Sequence, residues 1–168
     1  AGLRFFGNYV QPMLVKKGCM FGNCHSPSMF HDLRLRTGSQ GTFSRIAIDK
    51  NYEMARQQLS LASADPNQSR LIAKNLFPHD RGGKGLAHRG GALLEDFSTP
   101  ASPAACAGVD VPRTPLDELS AYCVLVAWHA VERDAAMARG EITEAQALVW
   151  VSRPLGVGDP RDFDTYRP

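Results

Sequence analysis

A chain of 168 residues, 43% hydrophobic and with a formal net charge of +2, is long enough for one domain with a real core and short for two. Its lysines and arginines are scattered, so no basic block marks a nucleic-acid or anionic-membrane surface, and no run of about 18 apolar residues is available to span a bilayer. Four cysteines, Cys19, Cys24, Cys106 and Cys123, admit two disulfides, one disulfide beside a cofactor site, or one metal site.

The opening Ala1-Gly2-Leu3-Arg4 lacks a charged segment followed by an apolar one and reads like a processed or excised product. Leu3, Phe6, Val10 and Leu14 then recur at helical spacing, Gly18 stands where a C-terminal cap belongs, and Pro12 predicts a kink. From His31 to Lys50 the pattern reads as loop with a short strand pair, and Tyr52 to Ala62 as a short helix. Asp65-Pro66-Asn67-Gln68 combines an N-cap, a proline at the first helical position and a capping-box glutamine, which predicts a helix through "NQSRLIAKNLF".

Residues 78–112 are dense in Gly and Pro and read as a long loop of the kind that carries function. Thr114-Pro115-Leu116-Asp117 repeats the start signal for the longest helix, running to Gly140, whose middle from Ala121 to Val131 is apolar nearly all round and so central. The fold class is therefore mainly α, with a domain over 1–140 and an extended tail or linker over 141–168.

The chemistry concentrates in "GCMFGNCHSPSMFHD". A c-type haem needs two thiols to form thioethers with the porphyrin and an imidazole beside the second thiol to bind the iron, commonly spaced C-x-x-C-H. Here the spacing is C-x4-C-H: Cys19, Cys24, His25. The two extra residues must loop out, and Gly22-Asn23 make that inexpensive. A Cys19–Cys24 disulfide, or a zinc site completed by Cys106 and Cys123, are the alternatives these residues leave open. A sixth ligand to iron must come from elsewhere, and His88 lies in "GGKGLAHRGG" between Gly82-Gly83 and Gly90-Gly91, where backbone can approach a flat macrocycle. His129, among apolar residues of the last helix, reads as a hydrogen-bonded core histidine, His79 lacks the flanking glycines, and His31 stays on the side of His25.

The order "FFGNYVQPMLVKKGCMFGNCHSP", "LRLRTGSQG", "NQSRLIAKNL", "GLAHRGGALL" and "YCVLVAWHA" resembles the single-haem cytochrome c domains of planctomycete and myxobacterial exported proteins, over about residues 3–133. The resemblance implies a cytochrome c-like helical domain around one covalent haem c, with the distal ligand falling on His88, and electron transfer rather than enzyme catalysis. It implies a periplasmic or exported location and redox partner proteins, or other subunits of an electron-transfer complex. A catalytic or sensing haem protein with an exchangeable distal site is the alternative. The Cys106/Cys123 pair departs from the family pattern; a disulfide pinning the Gly/Pro-rich loop to the last helix suits the oxidising compartment where thioether haem is assembled. Arg36, Arg70 and Lys74 are the candidates to pair with haem propionates.

Overall fold

Leu3, Phe6, Val10 and Leu14 do line one helical face, on a helix wound in three pieces. In the computed structural model, which describes residues 1–21, 24–39, 42–95 and 101–143, α1 (Gly2–Phe5) passes into a wide π turn (Phe6–Val10) and then α2 (Gln11–Lys16). Gln11 N–H reaches five residues back to Phe6 O. The wider winding thus precedes Pro12, which has no N–H to give and stands in the first turn of α2 instead of kinking a uniform helix. Phe6 and Val10 are fully buried, with Met13 and Leu14 nearly so. At the far end Gly18 has φ 76°, and the pair of bonds Cys19 N–H to Leu14 O (3.0 Å) and Gly18 N–H to Val15 O (2.9 Å) closes the helix as a Schellman motif. That ending delivers Cys19.

The predicted strand pair reduces to an isolated bridge between Ser39 and Thr42, and the described residues contain no strand. The helix expected from Tyr52 begins earlier: α3 is Arg45–Arg56, started by Ser44, whose hydroxyl accepts from Ala47 N–H at 3.1 Å. Its inner face is Ala47, Asn51 and Ala55, and a polar residue in that row hides the apolar period. Asn51 is fully buried because its amide is satisfied: it accepts from Arg36 N–H (2.6 Å) and donates to Gln11 Oε1 (3.0 Å) and Arg36 O (2.9 Å).

The start signal at Asp65 is used, with Asp65 accepting from Asn67 N–H at 2.9 Å, but the helix it opens is interrupted. A 3-10 turn (Pro66–Gln68) gives way at Ser69, held extended at ψ 126°, to the single turn α4 (Arg70–Ala73). The glutamine does not close a capping box; its Oε1 is buried without a partner among the described residues. Ser69 is spent on a tertiary contact instead, its hydroxyl accepting from Ser60 N–H at 3.1 Å, and this fixes the break. Beyond it the described residues of the Gly/Pro-rich stretch are irregular apart from 3-10 turns at His79–Arg81 and Pro103–Cys106.

The last helix, α5 (Ala121–Ala138), starts later than Pro115 predicts, with residues 115–118 remaining in turn, and ends before Gly140 at φ 70°. Its buried side chains include Tyr122, Val124, Leu125 and Trp128. Trp128 packs on Phe6 with ring centroids 5.3 Å apart, and Tyr52 lies 5.8 Å from Phe6, so the first and last helices meet α3 around one aromatic cluster. Each such buried side chain contributes about 1.5–3 kcal/mol. At the end of this contact sits Glu132, 1% exposed. It accepts from Tyr52 Oη (3.1 Å), Arg56 Nε (2.8 Å) and Trp128 Nε1 (3.2 Å). A Cβ on Gly2 would stand 1.7 Å from Glu132 Oε1, so only glycine lets α1 come this close.

Cys106 and Cys123 form a disulfide, with Cα atoms 5.2 Å apart, that ties the long loop to the first turn of α5. The tail expected beyond Glu141 lies almost wholly in 144–168, outside the described residues; Glu141 itself accepts from Arg56 Nη2 at 2.7 Å.

Two outcomes follow from these ties. Replacing both Cys106 and Cys123 by serine is expected to lower unfolding free energy by about 3 kcal/mol on the chain-entropy account of a loop this size, read as a shift in denaturant midpoint, with non-reducing peptide mapping of the parent showing the Cys106–Cys123 link. Glu132→Ala, which strands the buried indole N–H and part of the Arg56 guanidinium, is expected to cost about 2–3 kcal/mol, since Arg56 keeps Glu141; a change below 0.5 kcal/mol, the range of ordinary surface substitutions, contradicts that role.

Candidate functional site

Three backbone closures build the site from the end of α2. Phe21 N–H turns back to Gly18 O (3.2 Å), Cys24 N–H to Phe21 O (2.8 Å), and His25 N–H to Cys19 O (3.1 Å). Cys19 and His25 are thereby held side by side although five residues intervene. Cys19 and Cys24 are free thiols, the first half-buried and the second exposed. Burial pushes the Cys19 thiol up to about 11, with the neighbouring Cys24 adding to the rise against an opposing backbone hydrogen bond and Lys17. It is a neutral sulfur in an apolar setting. Gly22 and Asn23, expected to form the looped-out pair, lie outside the described residues.

His25 is oriented by the segment that follows. Leu35 N–H donates to His25 O at 2.6 Å, and His25 Nδ1 donates to Leu33 O at 2.8 Å. The ring is partly desolvated, which pushes its pKa below the usual 6.5, against the opposing pull of the Leu33 carbonyl. A neutral imidazole with Nδ1–H on a carbonyl offers the lone pair of Nε2, the arrangement metal-ligating histidines use.

His88 comes to the same place from the Gly-rich loop. Its ring centroid is 6.0 Å from that of His25, with 22° between the planes. Its Nδ1 lies 3.3 Å from Gly91 O, so here too the contact is at Nδ1 and Nε2 has no hydrogen-bond partner among the described residues. The turn that brings this about needs its glycines. Gly91 has φ 77°, and a Cβ on Gly90 would fall 2.9 Å from His88 Cε1.

The spacing of the rings tests whether these residues suit a metal bound between them. With metal–nitrogen bonds of about 2.0 Å and roughly 1.1 Å more from each nitrogen to its ring centre, two imidazoles on opposite sides of one ion have centroids about 6 Å apart. The ring centres of His25 and His88 stand at about that separation, with the planes stacked near-parallel. The four-thiolate zinc alternative does not survive, because Cys106 and Cys123 are joined to each other. Among the described residues no group of three or more His, Cys, Asp or Glu side chains is arranged to hold a metal ion.

The remaining candidates separate cleanly. His129 is 3% exposed on α5, its Nε2 on Ser60 O at 3.3 Å, and His79 is exposed on its 3-10 turn. Met13 and Met20 are core residues, while Met29 and Met54 are partly buried. Of the three basic candidates, Arg70 binds Asp32 (3.1 Å) and Gln58 (3.2 Å), Lys74 donates to Ala87 O (3.0 Å), and Arg36 is exposed.

One participant had no signal in the sequence beyond its position. His31 sets its ring edge against His25, centroids 4.6 Å apart at 69°, and its Nε2 donates to Cys24 O at 2.6 Å. It therefore braces the Cys24–His25 peptide. Comparison with protein-family models, with curated proteins and with solved structures gives no match.

The core assignment of His129 has a pH signature. Burial pushes its pKa below 6.5, outweighing the opposing Ser60 carbonyl. The unfolded chain therefore takes up this proton at a higher pH than the folded one, so stability falls as pH drops below about 6.5 and levels off once the folded ring is charged too. His129→Gln, neutral throughout, is expected to flatten that part of the melting-temperature profile between roughly pH 7 and pH 5; an unchanged slope contradicts the assignment.

Proposed function

We propose that this chain is an electron-transfer cytochrome of the c type, a cytochrome c-like α-helical domain with one covalent haem c. In this reading Cys19 and Cys24 supply the thioethers, and His25 and His88 are the axial ligands. The observation that supports it best is the pair of imidazoles 6.0 Å apart and near-parallel, each with its Nδ1 on a backbone carbonyl.

The bound group supplies one-electron chemistry at its iron. The chain's part is to hold it and set its surroundings. The Leu33 and Gly91 carbonyls fix the tautomer of each histidine, keeping the proton on Nδ1 and the lone pair on Nε2. His31 holds the Cys24–His25 peptide, and Cys19 is half-buried against the core. The Cys106–Cys123 disulfide agrees with an exported or periplasmic setting, and the partners in this reading are redox proteins or other subunits of an electron-transfer complex. No helix among the described residues is long and apolar enough to cross a membrane.

Intact mass and a pyridine haemochrome spectrum test the reading together. The expected result is one haem per chain that stays with the polypeptide on denaturation, and a Cys19→Ser/Cys24→Ser double variant that releases it; covalent haem retained in the double variant refutes the attachment. His88→Ala is expected to keep the haem attached, lose the six-coordinate low-spin spectrum and gain carbon monoxide binding, whereas His88→Met raises the potential because a soft sulfur replaces a nitrogen donor. A parent that is high-spin and binds carbon monoxide readily favours the catalytic or sensing alternative.

A further inference from the structure

The loop bearing His88 is docked on the end of α4. A helix leaves its last carbonyls without intrahelical donors, and here a loop N–H meets one of them, Leu86 donating to Ala73 O at 2.8 Å, while Leu94 donates to Asn75 O, just past the helix end, at 3.1 Å. Gly85 N–H donates to Phe77 O at 2.8 Å, and the Glu95 carboxylate returns to Phe77 N–H. These bonds fix the two ends of the loop. They leave its middle, residues 87–91, where the contacts of His88 with Gly91 are local.

Among the described residues a hydrogen bond joins this middle to the body of the domain from Lys74, whose Nζ donates to Ala87 O at 3.0 Å. Lys74 stands directly after α4 and is only 8% exposed. An ammonium so placed costs desolvation unless its hydrogen bonds repay it, and one that it makes grips the residue immediately before His88.

We infer that Lys74 is a positioning residue for His88: by holding the Ala87 carbonyl it keeps the imidazole opposite His25 and sets how readily an external ligand displaces it. The inference rests on the bis-histidine reading above. It follows from a two-state loop. An external ligand binds only the open form, so its apparent affinity scales with the open fraction, and weakening the clamp raises that fraction.

Carbon monoxide titration of the ferrous holoprotein reads the effect. Lys74→Met is expected to retain covalent haem and the low-spin spectrum without added ligand, yet bind carbon monoxide roughly tenfold or more tightly, the factor a charge-assisted hydrogen bond commands. Lys74→Gln, which keeps a shorter neutral donor, falls between, and decides the matter alone if the methionine variant does not fold. Trypsin cleavage after Arg89, exposed in the same loop, rises in both variants. Asn75→Ala is the control. It removes the Asn75 Nδ2 to Leu71 O bond (2.9 Å) at the same helix end and is expected to lower stability without changing the affinity. Parent-like affinity in both lysine variants, or an equal gain in Asn75→Ala, overturns the inference. A parent without covalent haem, or one unaffected by His88→Ala, instead overturns the bis-histidine reading beneath it.

Discussion

The described domain depends on one buried carboxylate being fully answered. Glu132 draws a phenol and a guanidinium from α3 and an indole from its own helix, while α1 crosses so near that a methyl group on Gly2 has no room. Left unanswered, a charge in that position costs several kcal/mol; answered, it fixes the angle and register at which three helices meet. Above it the Phe6, Tyr52 and Trp128 rings have one way to pack. The direction in which α2 leaves this junction decides where Cys19 lies.

Helical character and the ends of the N-terminal helix were legible because apolar spacing and a capping glycine are local properties. Where tertiary bonds recruit polar residues, the local signal fails. Asn51 interrupts the apolar row of α3 because it binds Gln11 and the Arg36 backbone, partners remote in sequence. Ser69 breaks the expected second helix for a bond to Ser60. The π turn before Pro12 is a third case, since a proline announces that regular winding must change but not on which side of it.

At the site, the grouping of Cys19, Cys24 and His25 was legible from their spacing in the sequence. The approach of His88 was inferred from glycines that permit it, and the ring separation of 6.0 Å needed the fold. What no pattern carries is the second layer: Leu33 O and Gly91 O on the two Nδ1 atoms, and His31 on Cys24 O. Carbonyls look alike in a sequence, and which one an imidazole finds depends on turns whose residues have other local duties. The role of Lys74 was likewise hidden, since a lysine beside an apolar run is ordinarily solvated and this one turns inward to Ala87.

The meeting of α1 with α5 has a consequence for synthesis. A chain made from its N-terminus presents Phe6, Val10, Met13 and Leu14 long before Trp128 and Leu125 exist to cover them, because α5 spans Ala121–Ala138. Contacts of such sequence separation make folding slow, and the uncovered face is prone to association meanwhile. The cysteine and histidine segment just after α2 thus emerges well ahead of the helix that completes the core, so any chemistry at Cys19 and Cys24 that happens early meets an open chain with both thiols accessible.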